Sequence, residues 1–269
     1  MTVPVRIERP FRVRFDECGA DGYARASAYL RWAQDVAWVH SESGGFDRAW
    51  YAARGMAWLV RSLRLDLRAP LESGRTVRVS TEVVGWRRVW ARRVSEIRPL
   101  EADAGPDRTG PALATVVTDW VLLGARGQPV RVPTEILAAF AARLPGFEPG
   151  RVPSVDPAGA DRPEAEPSHH LAYRVRPQEL DPMGHVNHAV YLDWLEEAVA
   201  AGGGQAVLAR LPRRYRLEYA RAVEPDAEVE AEVWIDPAGA WAWRLRGRDG
   251  GTVGRRRPDL ARGDLAPSD

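Results

Sequence analysis

The sequence predicts an α+β protein in which one long helix followed by an antiparallel sheet occurs twice. Three observations carry that prediction. The first is an internal repeat. Shifted by 162 positions, Phe11-Arg12-Val13-Arg14 overlies Tyr173-Arg174-Val175-Arg176, Gly22 meets Gly184, Tyr29-Leu30 meets Tyr191-Leu192 and Trp32 meets Trp194. Further on the shift becomes 152, where Arg64-Leu65-Asp66 meets Arg216-Leu217-Glu218 and Val77 meets Val229. The second is helical period: Tyr29, Trp32, Ala33, Val36 and Ala37 recur on one face, as do Tyr191, Trp194, Leu195, Ala198 and Val199. The third is strict alternation in Arg75–Thr81 and Glu228–Val233, which marks half-buried strands.

The elements follow in order. Copy one opens with a short strand near 11–15, a helix over 26–42 and strands at 58–69, 75–84, 87–98 and 113–123. Copy two repeats them at 171–176, 188–200, 213–223, 227–235, 240–246 and 251–256. Each helix carries an apolar stripe that must be buried, and the strands behind it supply the surface. Residues 148–168 hold five prolines and no hydrophobic period, the signature of a linker. The expected organisation is a first unit over 1–147, a linker over 148–168, a second unit over 169–257 and a flexible tail over 258–269, with an exposed loop at 100–111.

Composition excludes several functions. Apolar residues make up 45% and charged residues 28%, a globular balance. The 38 basic side chains, all Arg, nearly cancel the 37 acidic ones, so neither nucleic acid nor an anionic membrane is an expected partner. One cysteine, Cys18, leaves no intrachain disulfide and no multi-Cys metal site. His185 and His188 stand without a ligand cluster, so no metal is expected, and no cofactor. The amino terminus has no signal-like apolar core and no window could span a bilayer, which points to a cytoplasmic protein.

The chemistry concentrates in Asp181-Pro182-Met183-Gly184-His185-Val186-Asn187-His188, running into Tyr191 and the second helix; Asn187 is the sole asparagine of the chain. A carboxylate held beside the N–H groups of a helix N-terminus is a carbonyl-activating arrangement. Alternatives stand beside it. Asp181 before Pro182 also makes a good turn, Asn187 also makes a good N-cap, and His185 also reads as a packed histidine. Glu196 and Glu197 are rival bases on the helix or simply solvated acids. Copy one has Gly19, Tyr23 and Arg25 opposite Asp181, His185 and Asn187, so a single working site is expected.

These residues resemble the hotdog-fold thioesterases, the superfamily of 4-hydroxybenzoyl-CoA thioesterase, in which a curved antiparallel sheet wraps a long helix. The Asp, Gly, His-Val-Asn, Tyr and Trp-x-Glu-Glu pattern is the shared motif. Copy one is similar to the amino-terminal half of acyl-acyl-carrier-protein thioesterases through Ala28–Asp35, Gly55–Val60 and Thr118–Val121. The resemblance implies a tandem hotdog fold and hydrolysis of an acyl thioester of acyl carrier protein or coenzyme A. It implies that Asp181 is base or nucleophile, that His185 and Asn187 assist, and that Gly184, His188 and Tyr191 contact substrate. The protein would be a monomer holding two units or a homodimer.

One departure matters. Plant members carry Asn where Met183 stands, and an acid followed by Cys where Ala222-Val223 stand, so a simpler single-carboxylate mechanism is expected. Trp58, Trp86, Trp90, Trp120 and Trp234 would suit an apolar acyl tunnel. The rival functions are a non-catalytic acyl-thioester binding protein and a hotdog dehydratase or hydratase.

Overall fold

The structure, a computed structural model, describes residues 3–100, 111–140, 147–150, 169–248 and 259–268. The chain divides into two compact units, Met1–Gly150 and Arg151–Asp269. In the first, β1 (Arg6–Arg12) precedes α1 (Ala26–Ser43), α2 (Arg48–Ala52), β2 (Ala57–Leu67), β3 (Thr76–Arg87), β4 (Trp90–Pro99), β5 (Ala114–Leu123) and α3 (Thr134–Ala139). Its strands lie in the order β1-β3-β4-β5-β2, every pair antiparallel.

The second unit has β6 (His169–Arg174), α4 (Val190–Ala201), α5 (Gln205–Leu208), β7 (Arg213–Tyr219), β8 (Glu228–Ile235), β9 (Trp241–Gly247) and β10 (Asp259–Pro267). Here the order is β6-β8-β9-β10-β7, the same path through the sheet. Register repeats as well: Phe11 pairs with Val77, and Tyr173 pairs with Val229, the partners that the two shifts demand.

Each sheet buries the stripe of its helix. Tyr29, Leu30 and Val36 on α1 are at most 1% exposed, and Leu192, Leu195, Ala198 and Val199 on α4 are fully buried. Side chains of this size contribute roughly 1.5–3 kcal/mol each when removed from water, which is why short strands and one helix suffice to close a unit. Both units are therefore hotdog units.

Two expectations are corrected. Residues 259–267 are not a flexible tail: they form β10, seated between β7 and β9 in the position that β5 holds in the first unit. The polar appearance of this strand misleads because its charge is neutralised inside. Asp264 is fully buried and accepts Arg216 Nε at 2.8 Å and Nη2 at 2.7 Å. Gly263 faces α4, where a Cβ would meet Leu195 at 2.9 Å.

The second correction concerns 148–150, which pack on unit one instead of starting a free linker. Gly150 N–H donates to Asp119 Oδ2 at 2.6 Å and Arg92 donates to the Glu148 carbonyl at 2.8 Å. The rest of the expected linker, the loop at 101–110 and the expected strand at 251–256 lie outside the described residues. The opening strands begin earlier than expected, at Arg6 and His169, and so His169 and His170 are strand residues.

Candidate active site

The loop between β6 and α4 is a tight, fully hydrogen-bonded turn. Glu179 ends a one-turn 3-10 helix (Pro177–Glu179), and its carboxylate accepts Arg176 N–H at 2.7 Å. Asp181 N–H donates to the His185 carbonyl at 2.8 Å, and Gly184 N–H donates to the Asp181 carbonyl at 2.9 Å. Gly184 sits at φ +82°, in the left-handed region that a side chain would strain. Asp181 Oδ1 accepts Met183 N–H at 2.8 Å, so the turn role is real. Among the described residues nothing bonds Asp181 Oδ2, and the side chain is half-buried.

Unit one folds the same turn from different residues. Gly19 N–H donates to the Tyr23 carbonyl at 2.9 Å, Gly22 N–H to the Gly19 carbonyl at 3.0 Å, and Gly22 has φ +81°. Asp21 Oδ1 accepts Tyr23 N–H at 3.0 Å, two positions out of step with Asp181. Arg25 N–H bonds the Glu17 carbonyl at 3.0 Å, as Asn187 N–H bonds that of Glu179 at 2.8 Å. The backbone is thus duplicated faithfully, but unit one lacks the carboxylate, the imidazole and the amide side chain.

Asn187 sits two residues ahead of the helix N-cap, Ala189, and braces the entrance: its Oδ1 accepts Ala189 N–H at 2.9 Å, and its carbonyl accepts Val190 N–H at 2.9 Å. The amides of Asn187, Ala189 and Val190 are therefore committed within the loop. His185 is half-buried, with Nε2 3.6 Å from Glu224 Oε1. Tyr191, 2% exposed, accepts the Val223 N–H at its phenol oxygen. Burial pushes that phenol well above the ordinary tyrosine range, the Val223 bond opposes the shift, and the nearby carboxylates of Asp181 and Glu224 add to it, so the phenol stays protonated. His188 presents its carbonyl to the Tyr219 hydroxyl at 2.9 Å, and Tyr219 packs edge-on against Tyr191 at 5.0 Å.

The sequence reading missed Tyr219, Val223 and Glu224. Val223 is the pin: its carbonyl takes the Val186 N–H, at 3.1 Å, and its own N–H donates to the Tyr191 phenol oxygen. Glu224 stands two residues after Ala222, where the plant members carry the acid, and the Leu217-Glu218-Tyr219 strand was the available signal. Glu196 is occupied elsewhere, accepting the Tyr215 hydroxyl with Arg213 3.5 Å away, and Glu197 is exposed.

Among the described residues one group, His170, Glu230 and Glu232, has metal-ligating spacing. Glu232 there accepts Arg244 Nε at 2.7 Å and Arg246 Nη1 at 3.3 Å, which makes it an ion-pair site. No helix among those residues is long and apolar enough to cross a membrane.

Unit one contains an aromatic chamber that is partly open to solvent. Trp38, Trp58, Trp86, Trp120 and Phe140 form its walls. Of the five tryptophans that would suit an acyl tunnel, Trp58, Trp86 and Trp120 line this chamber. Trp90 does not line it, and Trp234 belongs to unit two, under Arg244.

Two hotdog units, one bearing a carboxylate loop at a helix entrance, define a tandem hotdog protein. Family models make the assignment finer: the acyl-ACP thioesterase N-terminal domain matches residues 4–140, and the acyl-ACP thioesterase C-terminal domain matches 163–243. The chain belongs to the acyl-acyl-carrier-protein thioesterase family. It is 25% identical over 272 residues to the chloroplastic acyl-[acyl-carrier-protein] hydrolase FATB2 of Cuphea viscosissima, covering 93% of this chain and 61% of that one. The fold matches the 12:0-ACP thioesterase from Umbellularia californica (TM-score 0.74, 19% identity, 98% of each chain). It also matches an acyl-ACP thioesterase from Bacteroides thetaiotaomicron (TM-score 0.71, 13% identity, 97% of this chain and 96% of that one).

Proposed function

We propose that this protein hydrolyses acyl thioesters of an acyl carrier protein, releasing a free carboxylic acid and the carrier thiol. The observation that carries this reading is the contrast between the two turns. They share one backbone, and the second places a carboxylate, Asp181, at the position that Gly19 holds in the first. In this reading Asp181 Oδ2 takes a proton from water as the water oxygen attacks the thioester carbonyl. The positive end of α4 stabilises the oxyanion that develops. Collapse of the tetrahedral adduct breaks the C–S bond, and the proton held by Asp181 returns to the departing sulfur. His185 positions substrate or water beside Asp181, Asn187 holds the helix entrance, and Gly184 and Tyr191 fix the shape of the loop.

The membership of the chain in an acyl-ACP thioesterase family supports carrier protein over coenzyme A. The experiment is a hydrolysis screen over acyl-carrier-protein and acyl-CoA thioesters of graded length, reading free thiol. Release from carrier-protein thioesters at a kcat/KM at least tenfold above the CoA series is expected. No release from either series would overturn the reading and leave a binding protein.

A further inference from the structure

A buried cation lies in the wall of the unit-one chamber. Arg93, on β4, is sunk deep in the unit yet keeps accessible surface, and that surface faces the chamber. Its side chain makes one hydrogen bond, from Nη1 to His40 Nδ1 at 2.9 Å, and its guanidinium lies 5.9 Å from the Phe140 ring centre. His40 is fully buried and gives its other ring nitrogen to the Pro4 carbonyl at 2.7 Å. Burial first, and Arg93 second, lower the pKa of His40 to about 4, so at neutral pH it is an uncharged acceptor. Burial lowers Arg93 only to about 10, which leaves it protonated. Tyr51 is the other polar neighbour, and its hydroxyl is shared with Ser41 at 3.2 Å. Among the described residues no carboxylate pairs with Arg93. Placing a guanidinium there without an anion is costly, and four of its five N–H donors are unused by side chains.

The duplication supplies an internal control. Arg93 pairs with Val83 across β3 and β4, and the register-equivalent pair in unit two is Trp241 with Ile235. His40 falls at Gly202 under the helix shift, and there the Trp241 ring fills the space, 3.1 Å from where a Gly202 Cβ would stand. The fold therefore closes this corner with an indole and a glycine. A cation with a neutral imidazole partner in unit one is not something the architecture needs.

We infer that Arg93 is a specificity residue: the chamber takes an acyl group whose far end is a carboxylate, which Arg93 grips through paired N–H donors while the tryptophans hold the apolar stem. This rests on the hydrolase reading above. A carboxylate supplies the missing counter-charge and satisfies the idle donors in one bidentate contact. A methyl end would exclude water from the guanidinium and give nothing back.

The test compares carrier-protein thioesters that differ only at the far end, methyl or carboxylate, in pairs of six to twelve acyl carbons. The wild type is expected to favour the carboxylate-ended member at its best length by at least tenfold in kcat/KM. Arg93→Met should reverse that preference and melt no lower than the wild type, since it removes an uncompensated buried charge. Arg93→Lys should retain part of the preference. A methyl preference at every length in the wild type, or an equal fall on both members in Arg93→Met, overturns the inference. Calorimetry with non-hydrolysable thioether analogues of the same pairs separates the two readings. If no thioester is cleaved, hydrolysis fails, while tighter binding of the carboxylate-ended analogue still upholds Arg93, and equal binding refutes it.

Discussion

Replacing Asp181 by Asn and, separately, by Ala isolates the chemistry of the carboxylate from its structural work. Met183 N–H donates to Asp181 Oδ1 at 2.8 Å, and an amide oxygen accepts that bond equally well. Asp181→Asn should therefore keep the turn and lose only the ionisable group. Removal of a general base lowers turnover by roughly 10²–10⁴-fold, about 3–5 kcal/mol of barrier. Asp181→Ala loses the same chemistry and also the turn bond, a further ~1 kcal/mol of stability, which lowers the melting temperature by a few degrees. Thiol release under single-turnover conditions measures the first quantity, and thermal unfolding followed by circular dichroism measures the second. The expected pattern is two equally inactive variants of unequal stability. An Asn variant retaining more than a tenth of wild-type turnover would refute Asp181 as the base. Equal melting of both variants would refute the turn bond.

Four further outcomes are expected. Asp264→Ala should destabilise the protein by about 3 kcal/mol in denaturant titration, because Arg216 then faces a buried vacancy, whereas a change in a frayed tail would cost nothing. Asn187→Ala should cost about 1 kcal/mol through the lost bond to Ala189 N–H, read in the same titration. Glu224→Gln should lower kcat/KM by less than tenfold, because Glu224 is 69% exposed in its side chain and water screens its pull on His185. Finally, His40 has a folded-state pKa of about 4 against an ordinary 6.5, so the unfolded chain takes the proton first. Its contribution to stability is complete above pH 6.5 and is lost as pH falls toward 4. The melting temperature of the wild type should drop across that window more steeply than that of His40→Asn.

Much of the site was legible because the motif is contiguous. Asp181, Gly184, His185 and Asn187 fall within seven residues, so one turn and one helix start bring them together whatever the rest of the chain does. Asn187 shows what such a reading leaves open: bracing the helix entrance and contacting substrate ask for the same residue type, and the structure shows its bond to Ala189 N–H. Tyr219, Val223 and Glu224 were not legible, since they lie at and just beyond the far end of β7, some thirty residues on, and Val223 acts through backbone groups that no sequence pattern marks. Glu196 illustrates the reverse, a plausible base on the page whose oxygen is engaged by Tyr215.

The sequence by itself determined the duplication, the two helices and the strand alternation, because helical and strand periods are local properties that each segment carries with it. Tertiary structure alone decided β10 and Arg93. Asp259-Leu260-Ala261-Arg262-Gly263-Asp264 reads as a solvated tail until β7 and β9 flank it, Arg216 neutralises Asp264, and Leu195 claims the space that Gly263 leaves. Arg93 is one arginine among many until a sheet, a helix and His40 remove it from water on every side but the chamber. Burial of a charge is settled by neighbours distant in the chain, and so the residues whose meaning depends on burial are the ones a linear reading passes over.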